Sequence, residues 1–214
     1  MRIRIDLKIF AFIIIFIITK QIEIYSIMMI FVILHELSHM IIGLILGFKP
    51  QKIELNPMGL SLSLEPKMND YNLKIKRTNL LEIKKILIAS VGPLVNIIIA
   101  TILALTADES DITYLIFYSN LVIAIFNLIP IYPLDGGRII YGILNIILGK
   151  WKAKKIVNEL SFVITVILTA ISSIAIYYYK NIAILIMLVY IWIIVLKSDR
   201  KYKKELKIYE LMKK

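Results

Sequence analysis

The sequence contains no cysteine and only two histidines among its 214 residues. Without cysteine, disulfide scaffolds and thiolate metal sites are excluded, so a bound transition metal must use His, Asp or Glu. Proline and glycine are also scarce, at six and eight residues, which excludes collagen-like and low-complexity chains. Metal chemistry is therefore confined to very few side chains.

Apolar residues, by contrast, make up 59% of the chain, whereas soluble domains contain about 45–50%. Charged residues amount to 19% and lie between long apolar runs, which is typical of a polytopic membrane protein. The net charge of +11 then reflects membrane topology. Nucleic acid is not expected as a partner, because the basic residues do not share one aqueous surface.

We predict an all-α polytopic membrane protein with about six transmembrane helices. Apolar runs bounded by charge set the spans at 9–19, 24–48, 86–105, 113–134, 157–178 and 182–196. With both termini cytoplasmic, 24 of the 26 Lys and Arg residues lie inside, as the positive-inside rule requires. The predicted division is a six-span transmembrane domain, 1–196, and a basic cytoplasmic tail, 197–214. The tail is either an amphipathic helix on the anionic leaflet or a solvated segment.

The second span contains the motif His-Glu-x-x-His. Because residues four apart share one face of a helix, His35 and His39 can present two nitrogens to one zinc ion. Glu36 then flanks the metal, where it can take a proton from bound water. A histidine in an apolar helix is usually only packed, but ionisable groups in hydrocarbon are costly and functional by default. The pattern predicts a catalytic zinc site.

A catalytic zinc ion generally takes three protein ligands, and here the third must be an acid. Asp135 is the better candidate, because two prolines before it and two glycines after it should break the fourth span there. Irregular backbone at membrane depth is tolerated only where it is buried in protein or lines a wet cavity. Glu159, near the inner end of the fifth span, is the alternative.

These motifs together resemble the site-2 protease family of intramembrane zinc metalloproteases. The resemblance lies in His-Glu-Leu-Ser-His at 35–39, in Asn127 to Gly136 with its Pro-Leu-Asp-Gly sequence, and in Val-Gly-Pro-Leu at 91–94. It implies that His35, His39 and Asp135 bind zinc and that Glu36 is the general base. The six-span plan and Leu-Ile-Pro-Ile-Tyr-Pro-Leu-Asp-Gly-Gly-Arg at 128–138 resemble its sporulation branch. The nucleotide-sensing CBS domain of better-known sporulation members does not follow the sixth span, so direct regulation by ATP is not expected.

The resemblance also implies a substrate, partners and a location. The substrate would be a membrane-tethered transcription factor precursor of the pro-sigma-factor type, and small membrane inhibitor proteins would be partners. The location would be a bacterial membrane, namely the one that surrounds the forespore during sporulation.

A β-hairpin is predicted after the second span. Leu60, Leu62 and Leu64 alternate with serines, which indicates a half-buried strand, and 56–59 supplies a turn. The resembling family has a membrane re-entrant hairpin here, whereas periodicity alone also allows a simple cytoplasmic loop. We predict that the hairpin edge, at Gly59 and Leu60, adds an extended substrate as a further strand.

Three further residues have less specific signals. Asn127 either orients substrate or bonds a neighbouring helix, and Pro133 belongs to the same substrate-facing motif. Asn96, in the third span, is interpreted as a residue that holds helices together.

The predicted function is intramembrane cleavage of a protein by metal-activated water. The alternative is a membrane metal transporter that uses the same His and Asp residues as a transit site. Transport needs no glutamate between the ligands and would favour an internal repeat, which the sequence lacks. A non-catalytic scaffold would require the whole constellation to be incidental.

Overall fold

The computed structural model describes residues 2–5, 8–18, 20–56, 59–66, 75–106, 110–179 and 182–213. The chain forms two compact units, Met1–Asn127 and Leu128–Lys214. Parts of the predicted extramembrane loops, at 57–58, 67–74, 107–109 and 180–181, lie outside the described residues.

The described residues of the first unit form a small sheet and four helices. Its elements are β1 Arg2–Ile5, α1 Lys8–Ile18, α2 Ile22–Ile45, β2 Phe48–Asn56, β3 Gly59–Pro66, α3 Ile75–Thr106 and α4 Asp111–Leu128, whose last residue belongs to the second unit. In α2, α3 and α4 the apolar runs are long enough to cross a membrane. With 11 residues, α1 rises only about 16 Å and corresponds to the short first predicted span.

The predicted hairpin after the second span is confirmed. β2 and β3 pair antiparallel, with Asn56 opposite Gly59 and Leu55 opposite Leu60. The sheet also has a third strand, which was not predicted from the sequence. This strand, β1, pairs parallel with β2, and Ile3 lies opposite Ile53. The strand order is β1-β2-β3, so β2 is central and β3 is an edge strand.

Two glycines explain how α2 gives way to the hairpin. Gly47 has a φ of +89°, a left-handed conformation that glycine adopts without strain, and it follows the end of α2. Gly43 is buried on α2, where an added Cβ would collide with the side chain of Leu64 on β3. The missing side chain at Gly43 therefore lets β3 pack directly against α2.

The second unit contains three helices: α5 Asp135–Leu148, α6 Lys150–Tyr179 and α7 Ile182–Lys213. The fourth predicted span, 113–134, was too long, because α4 ends at Leu128 and an irregular segment occupies 129–134. Two prolines in that segment remove backbone donors, which accounts for the break. α6 is long and apolar enough to cross a membrane. The sixth predicted span, 182–196, lies in the first part of α7, and its crossing of the membrane stays a prediction.

The basic tail is the continuation of α7, which runs without a break to Lys213. It packs along the beginning of α6: Asn158 donates to Asp199 at 2.9 Å, Lys154 pairs with Glu205, and the rings of Trp151 and Tyr209 lie 4.2 Å apart. We call these six residues the α6–α7 clasp. The tail is thus helical, as the amphipathic alternative required, and one of its faces contacts protein.

Candidate metal centre

His35 and His39 lie one turn apart on α2 and are almost fully buried, with exposed fractions of 1% and 3%. Their rings meet edge to face, and the two Nε2 atoms are 3.1 Å apart. The helical spacing predicted from the sequence therefore does bring the two nitrogens together. A metal ion that binds both would use these two atoms.

The opposite nitrogen of each ring has a fixed partner in the same unit. Nδ1 of His39 lies 2.6 Å from the carbonyl oxygen of Ile88, and Nδ1 of His35 lies 2.7 Å from Oδ1 of Asn96. A carbonyl oxygen only accepts, so Nδ1 of His39 carries the proton of the neutral ring. Its Nε2 then presents a lone pair, which is the arrangement found in histidines that bind metals.

Gly92 on α3 makes this arrangement sterically possible. A Cβ added at Gly92 would collide with ring atoms of both His35 and His39. Gly92 and Pro93 are both buried, so α3 approaches the imidazole pair at a point where it has no side chain. In the sequence, Gly92 carries a signal besides the family resemblance, because a glycine inside a helical pattern can mark a close approach.

Glu36, the predicted general base, follows His35 on α2 and is half-buried. Its backbone position, one residue from a buried histidine, places its side chain on an adjacent face of the helix. Its catalytic role stays a prediction.

Asp135, the predicted third ligand, is the first residue of α5 and is 4% exposed. Nη1 of Arg138, one turn later, lies 3.5 Å from its carboxylate. A negative charge in the first turn also interacts favourably with the helix dipole. Glu159, the alternative ligand, has a side chain that is 65% exposed and pairs with Lys155. Burial therefore favours Asp135.

The irregular segment 129–134 folds back over the first turn of α5. Leu134 donates to the carbonyl of Ile131 at 2.8 Å, and the backbone N–H of Tyr132 donates to Oγ of Ser161 on α6 at 3.0 Å. A Cβ at Gly136 or Gly137 would collide with backbone atoms of residues 128–132. The glycines after Asp135 thus serve this close packing, and Ser161 is a supporting residue that sequence analysis missed.

The residues predicted to contact substrate have separate positions. Asn127 donates to the carbonyl of Ile123 in its own helix at 3.0 Å, a bond that neither of its predicted roles included. Pro133 follows a cis peptide bond in the irregular segment. Gly59 and Leu60 begin the edge strand β3. Their contacts with substrate stay predictions.

The described residues offer a donor set that suits zinc. It consists of the imidazoles of His35 and His39 and the carboxylate of Asp135, and all three side chains are buried. Two histidines and one carboxylate match the ligand types of catalytic zinc sites. A zinc ion in such a site keeps its fourth coordination position for water.

Comparisons with known proteins agree with this chemistry. The model of peptidase family M50 matches residues 104–170, a stretch that includes α4, the irregular segment and Asp135. The chain is 34% identical over 132 residues to a zinc metalloprotease of Methanocaldococcus jannaschii. The aligned part covers 58% of this chain and 35% of that protein. The chain therefore spans about a third of the length of this curated relative.

The fold is also that of a solved protein. A site-2 protease from Methanocaldococcus jannaschii superposes with a TM-score of 0.67 at 24% identity, over 92% of this chain and 89% of that one. The resemblance to the site-2 protease family that the sequence indicated is confirmed by the family match, the relative and the fold.

Proposed function

We propose that this chain is a zinc metalloendopeptidase that cleaves a membrane-tethered protein within or near the membrane. The observation that carries the proposal is the imidazole pair, with two Nε2 atoms 3.1 Å apart and both Nδ1 atoms held by oxygen acceptors. Such a pair is the ligand half of a catalytic zinc site, and the M50 match and the zinc metalloprotease relative support the same reaction.

The remaining roles follow from the donor types. Asp135 is proposed as the third ligand, since it is a buried carboxylate and the described chain offers no thiolate. When bound, zinc would polarise the scissile carbonyl and lower the pKa of a coordinated water. Glu36 would take a proton from the attacking water and pass it to the leaving amine.

The edge strand β3 is proposed as the place where the substrate binds. A peptide bond inside a helix is shielded by hydrogen bonds, so the substrate must be extended before hydrolysis. Because β1 and β3 flank β2, a substrate strand that adds to the hairpin would pair with β3, which begins at Gly59 and Leu60. Leu64 of β3 packs on Gly43, one turn after His39 on α2, which supports substrate binding beside the imidazoles.

The finer proposals rest on the resemblance. We propose a pro-sigma-factor type precursor as substrate, small membrane proteins as inhibitors, and a role in sporulation at the membrane around the forespore. We also propose that both termini are cytoplasmic. The pairing of β1 with β2 supports the part of this that concerns the N-terminal side, since it joins residues 2–5 to the basic hairpin region.

Co-expression with a membrane-tethered sigma-factor precursor tests the proposal. The wild-type protein should shorten the precursor on a gel, and the Glu36→Gln variant should not, because the amide cannot accept the proton. A loss of about 10²–10⁴-fold in rate is expected for removal of a general base. Cleavage by both proteins would assign the product to another protease and contradict the role of Glu36.

Metal analysis separates hydrolysis from transport. The purified wild type and Glu36→Gln proteins should each contain one zinc ion, whereas Asp135→Ala should contain much less. Neither the family match nor the relative favours a transporter. Zinc flux into vesicles that survives in Glu36→Gln, without proteolysis by the wild type, would overturn the protease proposal.

A further inference from the structure

A chain of buried side chains links His35 to two other helices. Oδ1 of Asn96 on α3 lies 2.7 Å from Nδ1 of His35, and Nδ2 of Asn96 donates to Oδ1 of Asn120 on α4 at 2.8 Å. Nδ2 of Asn120 in turn donates to the carbonyl of Ile116 at 2.9 Å. Asn96 and Asn120 are completely buried, with exposed fractions of 0%.

The last hydrogen bond of this series, to the carbonyl of Ile116, fixes the direction of all the others. The carbonyl of Ile116 can only accept, so the atom of Asn120 that faces it is the NH₂ group, and the amide oxygen of Asn120 points to Asn96. That oxygen must accept a hydrogen bond from the NH₂ group of Asn96. The oxygen of Asn96 therefore faces His35. Nδ1 of His35 therefore carries a proton, and Nε2 of the neutral ring carries the lone pair.

From this geometry we propose that Asn96 and Asn120 are positioning residues for metal binding, which hold His35 in the tautomer and ring orientation that zinc requires. The inference rests on the proposed zinc site and names residues that act on it through His35. Rotation of either amide would place two acceptors face to face among fully buried groups, and both acceptors would lose their donors. The two asparagines thus select one tautomer of His35, with the proton on Nδ1.

The two histidines are held by different means. His39 depends on the backbone carbonyl of Ile88, which no substitution removes, whereas His35 depends on two replaceable side chains. Outer partners of metal-bound histidines typically change metal affinity by about 10–100-fold when they are removed. Zinc binding should therefore respond strongly to substitutions on α3 and α4 that contact no metal.

The competing role is helix packing alone. The bond between Asn96 and Asn120 would hold α3 to α4 whether or not it affects His35. Packing alone predicts a loss of stability without a change in metal binding, so metal affinity distinguishes the two roles.

The experiment measures Zn²⁺ affinity of the full chain in detergent at neutral pH, by competition with a chromophoric chelator. Asn96→Leu removes the acceptor for His35 and should weaken binding by about 10–100-fold. Asn96→Asp keeps an acceptor for Nδ1 of His35 but sets a second oxygen against Oδ1 of Asn120. Asn120→Leu leaves Asn96 in place without its anchor. Both variants should therefore lose less affinity than Asn96→Leu.

Thr165→Val is the matched control. Thr165 is equally buried, at 1%, and its hydroxyl bonds only a carbonyl of its own helix α6, so zinc affinity should not change. A second readout is the visible spectrum of the Co²⁺-loaded protein. Its bands should shift more in Asn96→Leu than in Asn96→Asp, which keeps an acceptor for His35.

The inference is overturned if Asn96→Leu or Asn120→Leu melts at a lower temperature yet binds Zn²⁺ and Co²⁺ as the wild type does. If Asn96→Leu does not fold, Asn120→Leu decides by the same criterion. A wild-type protein that binds no stoichiometric zinc would contradict the proposed site itself, and the role of the asparagines with it. Zinc binding by the wild type with unchanged variants contradicts the positioning role only.

Discussion

Two polar assemblies occur in this protein, and they are built differently. The chain from His35 through Asn96 to Asn120 consists of neutral groups that are almost fully buried. The α6–α7 clasp uses charged groups, and the side chains of Lys154 and Glu205 remain 24% and 34% exposed. Both assemblies join helices through side-chain hydrogen bonds.

The difference follows from the cost of burial. A charge inside an apolar helix bundle loses much hydration energy, whereas an amide needs only a hydrogen bond for each polar atom. Amide chains therefore suit the interior and fix bond directions there, while ion pairs suit the exposed helix ends, where each is worth at most about 1 kcal/mol. Substitutions should have large and specific effects in the first assembly and small, salt-dependent effects in the second.

The largest effect is expected at Gly92, beside the buried chain. Alanine is a better helix former than glycine by about 1 kcal/mol, so propensity alone predicts that Gly92→Ala stabilises α3. The added Cβ would instead collide with the rings of His35 and His39 and displace them. Because a misplacement of about 1 Å can cost about 100-fold in rate, activity should fall at least that much, and bound zinc should fall with it. Full zinc content and activity in Gly92→Ala would refute the close approach.

A smaller effect is expected at Gly43, where the strand β3 packs on α2. Gly43→Val should push the side chain of Leu64 away and slow cleavage by about tenfold, since even a small displacement of the strand proposed to hold the substrate disturbs its alignment. Zinc content should not change, because the imidazoles lie one turn earlier. Measured rates on a tethered precursor and zinc analysis check both statements.

A compensating substitution makes the test of Gly43 specific. Leu64→Ala shortens the side chain that an added group would meet, so cleavage should recover in Gly43→Val/Leu64→Ala. An equally slow double variant would mean that Gly43 acts through something other than the packing of β3.

The sequence predicted the parts of the site that obey a fixed spacing. The interval of four residues between His35 and His39 guarantees that the rings share a face of α2, whatever the rest of the chain does. The prolines and glycines around Asp135 likewise predicted a helix break, because their backbone restrictions are local. Alternation along β3 gave the hairpin for the same reason.

Long-range contacts could not be derived from the sequence in this way. Asn96 and Asn120 are 24 residues apart, and no spacing rule states that their amides meet or that one of them reaches His35. Strand β1 was missed because its alternation, Arg-Ile-Arg-Ile, covers only four residues, which is the shortest run that can indicate a strand. The clasp was missed because the charges on the tail favour solvent and a protein surface equally.

Ser161 provides an intermediate case, since its buried hydroxyl accepts from the N–H of Tyr132 and donates to the carbonyl of Val157 in its own helix. Ser161→Ala would leave the N–H of Tyr132 without the acceptor that the hydroxyl provides, which should lower the free energy of unfolding by about 1–3 kcal/mol. Thermal melting against Thr165→Val checks this, because Thr165 bonds a carbonyl of its own helix and should matter less. Equal melting temperatures would show that the Tyr132 bond contributes little.

The smallest effect is expected in the clasp, and it should depend on pH. Hydrogen bonding to Lys154 lowers the pKa of Glu205 below its ordinary value of 4.5, and the bond to Lys203 lowers the pKa of Asp199 below 3.8. Carboxylates with a lowered pKa stabilise the folded state above the ordinary value, and this contribution is lost as the pH falls through the lowered pKa. The helical tail should therefore loosen only below about pH 4.5, and salt should weaken it at neutral pH.

Hydrogen exchange of residues 197–213 measures this loosening directly. Glu205→Gln should speed exchange at neutral pH by less than about fivefold, which corresponds to about 1 kcal/mol for a partly exposed pair. Glu159→Gln is the matched control, because Glu159 and Lys155 are each 65% exposed and their separation is 3.9 Å, so no change is expected. If Glu205→Gln speeds exchange far more than fivefold, the pair behaves like a buried one. The contrast between a neutral interior chain and a weakly bound charged clasp would then fail.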